Sequence, residues 1–296
     1  MTWVELVEKA TEGTVKIEVL PVGSIAGYEE SLPATMERAT DIWSGWATVY
    51  GGIVPEGFLA YGLAHSAQTP AQAWEALWGP EYRIGDIVKA GAERANLYWG
   101  GWSIAHDNQA FTTFPVQKWE DFKGHKMRAG GPQSVYYSAL GGMPVAMGWG
   151  DIYMAAKLGT IEGFFADMTS VAPDKLHEVI DYAIYPCWNP VQSEEIFINL
   201  DSWNALTQWQ RDRIDGIFEL HYWKATAIMY EYRDESKDAC AAAGVEFIHL
   251  SDEEVARITK QVVDEVWPKV AEKSPEVARG VEIYKQFLKD EGLLEG

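Results

Sequence analysis

The sequence predicts an α/β protein of two lobes, and three observations predict it. Short runs of alternating apolar residues are separated by stretches of helical period along the whole chain, the pattern of α/β layers with largely parallel sheets. A length of 296 residues with 47% hydrophobic content is enough for two cores. No internal repeat and no linker-like stretch interrupts the chain, so two lobes joined by several crossings fit better than two units on a tether.

The elements follow in order. The opening residues, from Met1 to Gly13, have the apolar spacing of the end of an amphipathic helix. Thr14 to Val19 alternates strictly and predicts a strand closed by Pro21 and Gly23. Residues 28–39 are expected to be helical, and residues 41–50 to return to strand and loop before Gly51 and Gly52. A helix is predicted over 70–95, with Thr69 or Pro70 at its start. Short strands are predicted at 97–104, at 126–128, at 144–147 and at 160–166. Helices are predicted at 133–140 and 151–158. Strand-like segments recur at 178–185, 195–199 and 245–250. From Ser202 to Ala243 the pattern is helical with no Pro and only Gly216, a length that crosses between lobes or kinks. Ser251 with Asp252, Glu253 and Glu254 has the form of an N-cap and acidic first turn. The remainder is helical, with breaks expected at Pro268 and Pro275.

Charge excludes some partners. With 24 basic and 44 acidic residues the net charge is −20, a surface that repels nucleic acid and anionic membrane. It does not exclude an anionic ligand, because one buried Arg dominates the field inside a closed cleft. Cys187 and Cys240 are too few and too far apart for a disulfide scaffold or a zinc site, and whether they pair is left open. No apolar run approaches the ~18 residues of a membrane span. No signal peptide is visible in these residues, which by itself says little about location.

Arg128 is the leading candidate for chemistry. It ends a predicted strand beside Gly130 and Gly131, where backbone can approach a ligand closely, and its planar fork matches a carboxylate. The chain carries 14 Trp. Trp43, Trp46, Trp99, Trp102, Trp149 and Trp188 fall at predicted strand ends or loops, where flat faces suit an apolar or conjugated solute. Trp74, Trp78, Trp203, Trp223 and Trp267 fall on helices and read as packing. Tyr50, Tyr136 and Tyr153 are candidate hydroxyl donors, and the six His are assigned nothing. No nucleophile elbow, P-loop or dinucleotide fingerprint is present. A carbohydrate-active hydrolase using Asp151 and Glu162, or Glu194 and Glu195, has no ordering feature to support it. A sugar-binding protein of another uptake class is the main alternative, and it gives Arg128 no role.

The series of motifs resembles one family. Asp121, Lys123, Gly124, Lys126 and Arg128 stand at the spacing D-x-K-G-x-K-x-R of the solute-binding proteins of TRAP (tripartite ATP-independent periplasmic) transporters, the DctP-type family 7. Gly141 to Val145 is similar to that family's G-G/A-x-P-V turn, and Asp151, Tyr153, Ala155, Leu158 and Gly159 to its E-x-Y-x-A-L-x-x-G helix. Thr160 to Gly163 resembles its G-x-I-D-G strand. Residues 185–190, Ile198, Asn199, Trp203 and Leu206 resemble the keto-acid-binding branch. Residues 15–21 and 56–63 also fit, so the likeness covers nearly the whole chain in order.

The resemblance implies a bilobed, type II periplasmic-binding-protein-like fold with a long helix crossing both lobes. Lobe I is expected over 1–104, completed by about 190–235, and lobe II over 105–189, completed by about 236–296. Relatives carry a further strand and most of the first helix ahead of Met1, so an exposed sheet edge is expected in the first lobe. Function is implied as capture of a small organic acid in an exported, periplasmic protein that hands it to the membrane subunits of a TRAP transporter, with no catalysis and no nucleic acid. Arg128 would clamp the solute carboxylate, with Trp149, Phe164, Phe165, Asp107, Asn108 and Trp188 around it, Glu195 matching an acid kept by the keto-acid branch, and Trp46 and Tyr50 closing over the solute body. Phe165 and Ala166 stand where that branch has Glu and Trp, and the Glu there helps hold a metal. Phe cannot ligate a hard cation, so no cofactor is assigned and a bound cation has no support. The adjacent Phe164 and Phe165 suggest a bulkier or less polar solute tail.

Overall fold

Seven strands carry the architecture of the computed structural model, which describes residues 2–21 and 23–294 with the side chains of residues 28, 187 and 188 left out. They are Ile42–Gly45 (β1), Leu97–Thr112 (β2), Lys126–Arg128 (β3), Met143–Val145 (β4), Gly163–Ala166 (β5), Tyr182–Asn199 (β6) and Glu246–His249 (β7). Their order is β1-β6-β2-β5-β3-β4, with β7 also paired to β6. β2 and β6 lie antiparallel over most of their lengths, from Leu97 opposite Asn199 to Thr112 opposite Tyr182. At one end of this pair β1 joins β6 at Glu195 to Ile198. At the other end β7 joins β6 at Tyr182 to Tyr185, and β5, β3 and β4 extend from β2. The sheet is therefore mixed rather than largely parallel, because two long strands traverse both lobes in opposite directions. Between the two ends the pair forms a bare ribbon, roughly residues 103–108 against 189–194, with irregular register at both flanks.

The aromatic strand expected at 97–104 is thus twice as long, and the segments at 178–185 and 195–199 are one strand. Polar residues 106–109 break the apolar pattern without ending the strand, because their backbone stays paired across the ribbon. The alternation at 14–19 does bury one side, with Val15 and Ile17 packed against Trp3, Ile196 and Ile214 in one cluster. Among the described residues no strand pairs with it, and an extended segment becomes a strand only beside a hydrogen-bonding neighbour. The helix expected at 70–95 is two, Pro70–Trp78 and Ile84–Arg94, divided at Gly79 and Pro80.

Gln208–Ala242 is one helix of 35 residues, about 52 Å long. It starts later than its pattern because Thr207 and Gln210 form a reciprocal capping box, which separates it from the short helix Leu200–Ala205. Its first half packs on β2: Phe218 sits over Gly100, Tyr222 lies 5.6 Å from Trp102, and Thr226 Oγ1 accepts from the Ala105 N–H at 3.0 Å. Its last turns cover the other lobe, where Ser236 Oγ accepts from Ala172 N–H and Cys240 is buried with a free thiol. One rod therefore spans both ends of the sheet. Cys187, whose pairing with it the sequence leaves open, has its side chain outside the described residues.

Pro268 does not break the C-terminal helix. A π-type turn, Val262–Val266, precedes it, and the wider turn accommodates a residue with no N–H and a ring against the preceding turn. Trp267 Nε1 then donates to the Ala64 carbonyl at 3.0 Å. Helix Pro275–Asp290 returns to the first lobe: Tyr284 donates to Leu59 O at 3.1 Å and Tyr82 donates to Asp290 at 2.9 Å.

A Cβ at Gly100 would lie 1.9 Å from Phe218 Cζ. Gly100→Ala is expected to lower unfolding free energy by about 1–3 kcal/mol through overpacking. Denaturant titration should show that loss vanishing in a Phe218→Ala background; an equal loss in both backgrounds would contradict this contact.

Candidate functional site

β5 runs antiparallel to β2, from Gly163 opposite Thr112 to Ala166 opposite Gln109, and β3 is parallel to β5. Both end toward the ribbon, hence toward the first lobe. β1 ends toward it from the other side, at Gly45 opposite Glu195. Strand ends and the ribbon together frame the interlobe crevice, the position where ligands bind in open α/β sheets.

Arg128 is the last residue of β3 and is half-buried. Its Nε donates to Met147 O at 3.4 Å, and its guanidinium lies 5.8 Å from the Trp149 ring centroid. Trp149 is 39% exposed and fixed by its Nε1–H to Asp174 at 2.8 Å. Beyond Arg128 the chain turns at Gly130 and Gly131 into helix Pro132–Ala139. Gly131 has φ +51°, and a Cβ at either glycine would meet nothing within 4 Å. A charged fork, an exposed indole and open backbone thus share one strand end.

From the first lobe, Trp46 follows β1 and is 38% exposed. The next residue, Ala47, donates its N–H to Glu195 Oε2 at 2.8 Å, and Ser193 Oγ lies 3.0 Å from the other oxygen. Glu195 is fully buried, and desolvation raises its pKa from 4.5 to about 8. The neutral acid suits its partners: its O–H donates to Ser193, whose own hydroxyl donates to Ala60 O at 3.1 Å.

The ribbon is the most polar buried part of the sheet. Ser103, His106, Asp107, Asn108 and Gln109 on β2 and Asn189, Gln192, Ser193 and Glu195 on β6 are all buried. Asn108 Oδ1 accepts from Gln133 at 3.4 Å, Tyr61 donates to Gln192, and Asn189 donates to Gly62 O at 3.4 Å. Asp107 sits where the register shifts between His106 and Asn108. Burial raises its pKa, and Arg233 on the long helix opposes that rise.

The structure brings Arg128 and Trp149 together at the end of β3, buries Asp107 and Asn108 on the ribbon, and leaves Trp46 partly exposed after β1. The other candidates lie elsewhere. Phe164 stacks on Phe111 at 5.6 Å within the second-lobe core, and Phe165 packs edge-on against Tyr136 and Tyr137 on the opposite face of the sheet. Tyr50 is buried edge-on against Trp43 with its hydroxyl 2.8 Å from Ser31. Glu195 holds Ala47 behind Trp46. Trp188 has its side chain outside the described residues. Sequence reasoning did not single out Arg233, His106, Gln133 or Tyr61. Arg233 sits on a long charged helix whose pattern gives no sign of which turn meets the ribbon, and the others need the tertiary fold to become neighbours. Among the described residues no group of three or more His, Cys, Asp or Glu is placed to hold a metal.

A two-ended sheet, a helix spanning both ends and a charged fork at an interlobe strand end define a bilobed solute-binding protein. Residues 1–274 match the family described as bacterial extracellular solute-binding protein, family 7 (DctP), and the chain belongs to that family. It is 23% identical over 277 residues to the C4-dicarboxylate-binding periplasmic protein DctP of Rhodobacter capsulatus, covering 91% of this chain and 80% of that protein. Among solved structures it is similar to a TRAP periplasmic solute-binding protein of Rhodoferax ferrireducens with bound malonate, at 20% identity and TM-score 0.84 over 98% of this chain and 91% of that one. It is likewise similar to one from Desulfovibrio salexigens with bound orotic acid, at 15% identity and TM-score 0.84 over 98% and 93%. These likenesses establish the bilobed fold, in a family of binding proteins rather than enzymes. Among the described residues no helix is long and apolar enough to cross a membrane.

An acid whose folded pKa exceeds its unfolded value stabilises the fold while protonated and loses that contribution as pH rises. For Glu195 the loss falls between about pH 4.5 and 8. Glu195→Gln keeps both contacts, with its amide oxygen on Ala47 and its NH₂ on Ser193. Melting curves should show the two proteins alike near pH 5 and the variant more stable at pH 8; parallel profiles would contradict a buried neutral acid.

Proposed function

We propose that this protein is the solute-binding component of a TRAP-type transporter, working in the periplasm and carrying a small organic acid to the membrane subunits. The observation that carries the reading is Arg128. It is a half-buried guanidinium at the crevice end of β3, beside an exposed Trp149 and two glycines with open space at their Cβ positions. A carboxylate accepts two parallel N–H bonds from such a fork, and those bonds strengthen when closure expels water. Trp46 and Trp149 supply flat apolar surface for the solute body from the two sides. The carboxylates carried by the neighbouring structures support the ligand class, and the family's extracellular character supports the location.

Lobe closure is assigned to the ribbon near 103–108 and 189–194. We place lobe I at 1–104 with about 190–235 and helix Pro275–Asp290, and lobe II at 105–189 with about 236–271. Solute that touches both sides favours the closed form by its differential affinity, and the membrane subunits read that form. The keto-acid preference is not carried over, because Phe165 replaces the metal-binding Glu.

A thermal-shift screen of organic acids should raise the melting temperature for at least one class by mass action. Arg128→Gln should weaken that acid by about 100-fold or more, since both charge and fork are lost, and Arg128→Lys should not restore it. Small-angle scattering should show a smaller radius in the liganded protein. Binding of a neutral sugar untouched by Arg128→Gln would overturn the proposal.

A further inference from the structure

A cavity of about 250 Å³ lies apart from the Arg128 guanidinium, walled by three separate parts of the chain. One wall is Phe58 with the segment 61–64. The second is Gly131 with the first turn of the helix that follows it, including Val135. The third comes from the C-terminal helices, chiefly Trp267 and Val270. Trp267 is fully buried, and its Nε1–H to Ala64 O at 3.0 Å fixes the indole in the wall. The hydroxyl of Tyr61 is turned to Gln192. The lining is therefore apolar apart from two charged side chains, Lys269 and Lys273. Gly131 belongs to the turn that carries β3 into its helix, so the cavity adjoins the Arg128 strand end without having Arg128 or Trp149 in its lining.

Lys269 lies on helix Trp267–Ala271 and Lys273 just past its end. Both are exposed, so they mark the solvent end of the cavity. Lys273 Nζ sits 4.7 Å from the Phe58 ring centroid, which holds its charge against the wall. Among the described residues the nearby Lys260 pairs with Asp264 and Lys285 with Glu282, whereas Lys269 and Lys273 have no ion-pair partner. Two unpaired cations side by side reverse the sign of a chain whose net charge is −20, and they attract a negative head. Volume sets the body of the ligand. An apolar cavity of about 150 Å³ takes benzene, so one of about 250 Å³ takes a phenyl ring with a short chain. Walls built from an indole and a phenyl ring suit an aromatic body.

We propose that this cavity is a second ligand site, for a small carboxylate with an aromatic body. The ring lies among Phe58, Val135 and Trp267, and the carboxylate meets Lys269 and Lys273 at the mouth. Burial of the ring supplies most of the affinity. The ammonium groups stand in water, where each contributes modestly, and their part is to select an anion over a neutral molecule of the same shape. The site does not depend on the reading of Arg128 as a clamp.

Calorimetric titration of the intact chain carrying Arg128→Gln removes the clamp and reads the second site alone. 3-Phenylpropanoate should still bind, and about fivefold or more tighter than its neutral analogue 3-phenylpropanamide. Adding Lys269→Gln and Lys273→Gln, both on the surface, should bring the two ligands within about twofold of each other. Val135→Phe places a ring in the cavity and should abolish binding of 3-phenylpropanoate. No binding to the Arg128→Gln protein at millimolar ligand overturns the second site and leaves the clamp untouched. Equal binding of acid and amide overturns the assignment of an anion. An acid preference that survives loss of both lysines, or binding unchanged by Val135→Phe, puts the ligand elsewhere and overturns it too. The lysine variants decide the matter even where Val135→Phe fails to fold.

Discussion

Two strands running side by side through both lobes constrain everything else. β2 and β6 must keep their backbones paired across a gap where no helix-backed sheet continues on either side. The ribbon meets that demand with irregular register and with side chains that bond to neighbours from each lobe, such as Tyr61 to Gln192 and Gln133 to Asn108. Polar side chains here cost desolvation that an apolar ribbon would avoid.

The same constraint fixes the positions of the candidate residues. Because β5 pairs antiparallel with β2 and β3 follows it in parallel, the carboxyl ends of both strands arrive at the ribbon, and with them Arg128 and Asp167. β1 arrives from the other lobe with Trp46, held by the Ala47 N–H on buried Glu195. The long helix ties the two ends together from behind through Phe218, Thr226 and Ser236. Rigid elements thus carry the facing groups, and among the described residues no third strand flanks the ribbon between them.

Much of the fold was legible because periodicity reports burial. Val15 and Ile17 alternate correctly even though their segment pairs with no strand among the described residues, which shows the limit: alternation predicts a buried side, and a strand also needs a neighbour. The ribbon hid the true lengths of β2 and β6, since His106 to Gln109 and Asn189 to Glu195 look like loop in a linear reading. Capping chemistry divided the long helical pattern at Thr207, and a π-type turn carried the last helices past Pro268. That Arg128 ends a strand beside an open glycine pair was legible from residue type. The packing of Phe164 and Phe165 on opposite faces was not, because period two sends neighbours to opposite faces and both faces of this sheet are core. Arg233 meets Asp107 only after the ribbon and the long helix are in place, and no local spacing announces it.

The claim beneath all of this is that a guanidinium fork faces the space between the lobes and grips an anion there. A crystal structure of the protein saturated with its tightest acid tests it directly. The account expects both carboxylate oxygens within about 3 Å of the Arg128 nitrogens, with Trp46 and Trp149 on opposite sides of the solute. A solute carboxylate lodged elsewhere, with Arg128 turned to bulk water, would contradict it.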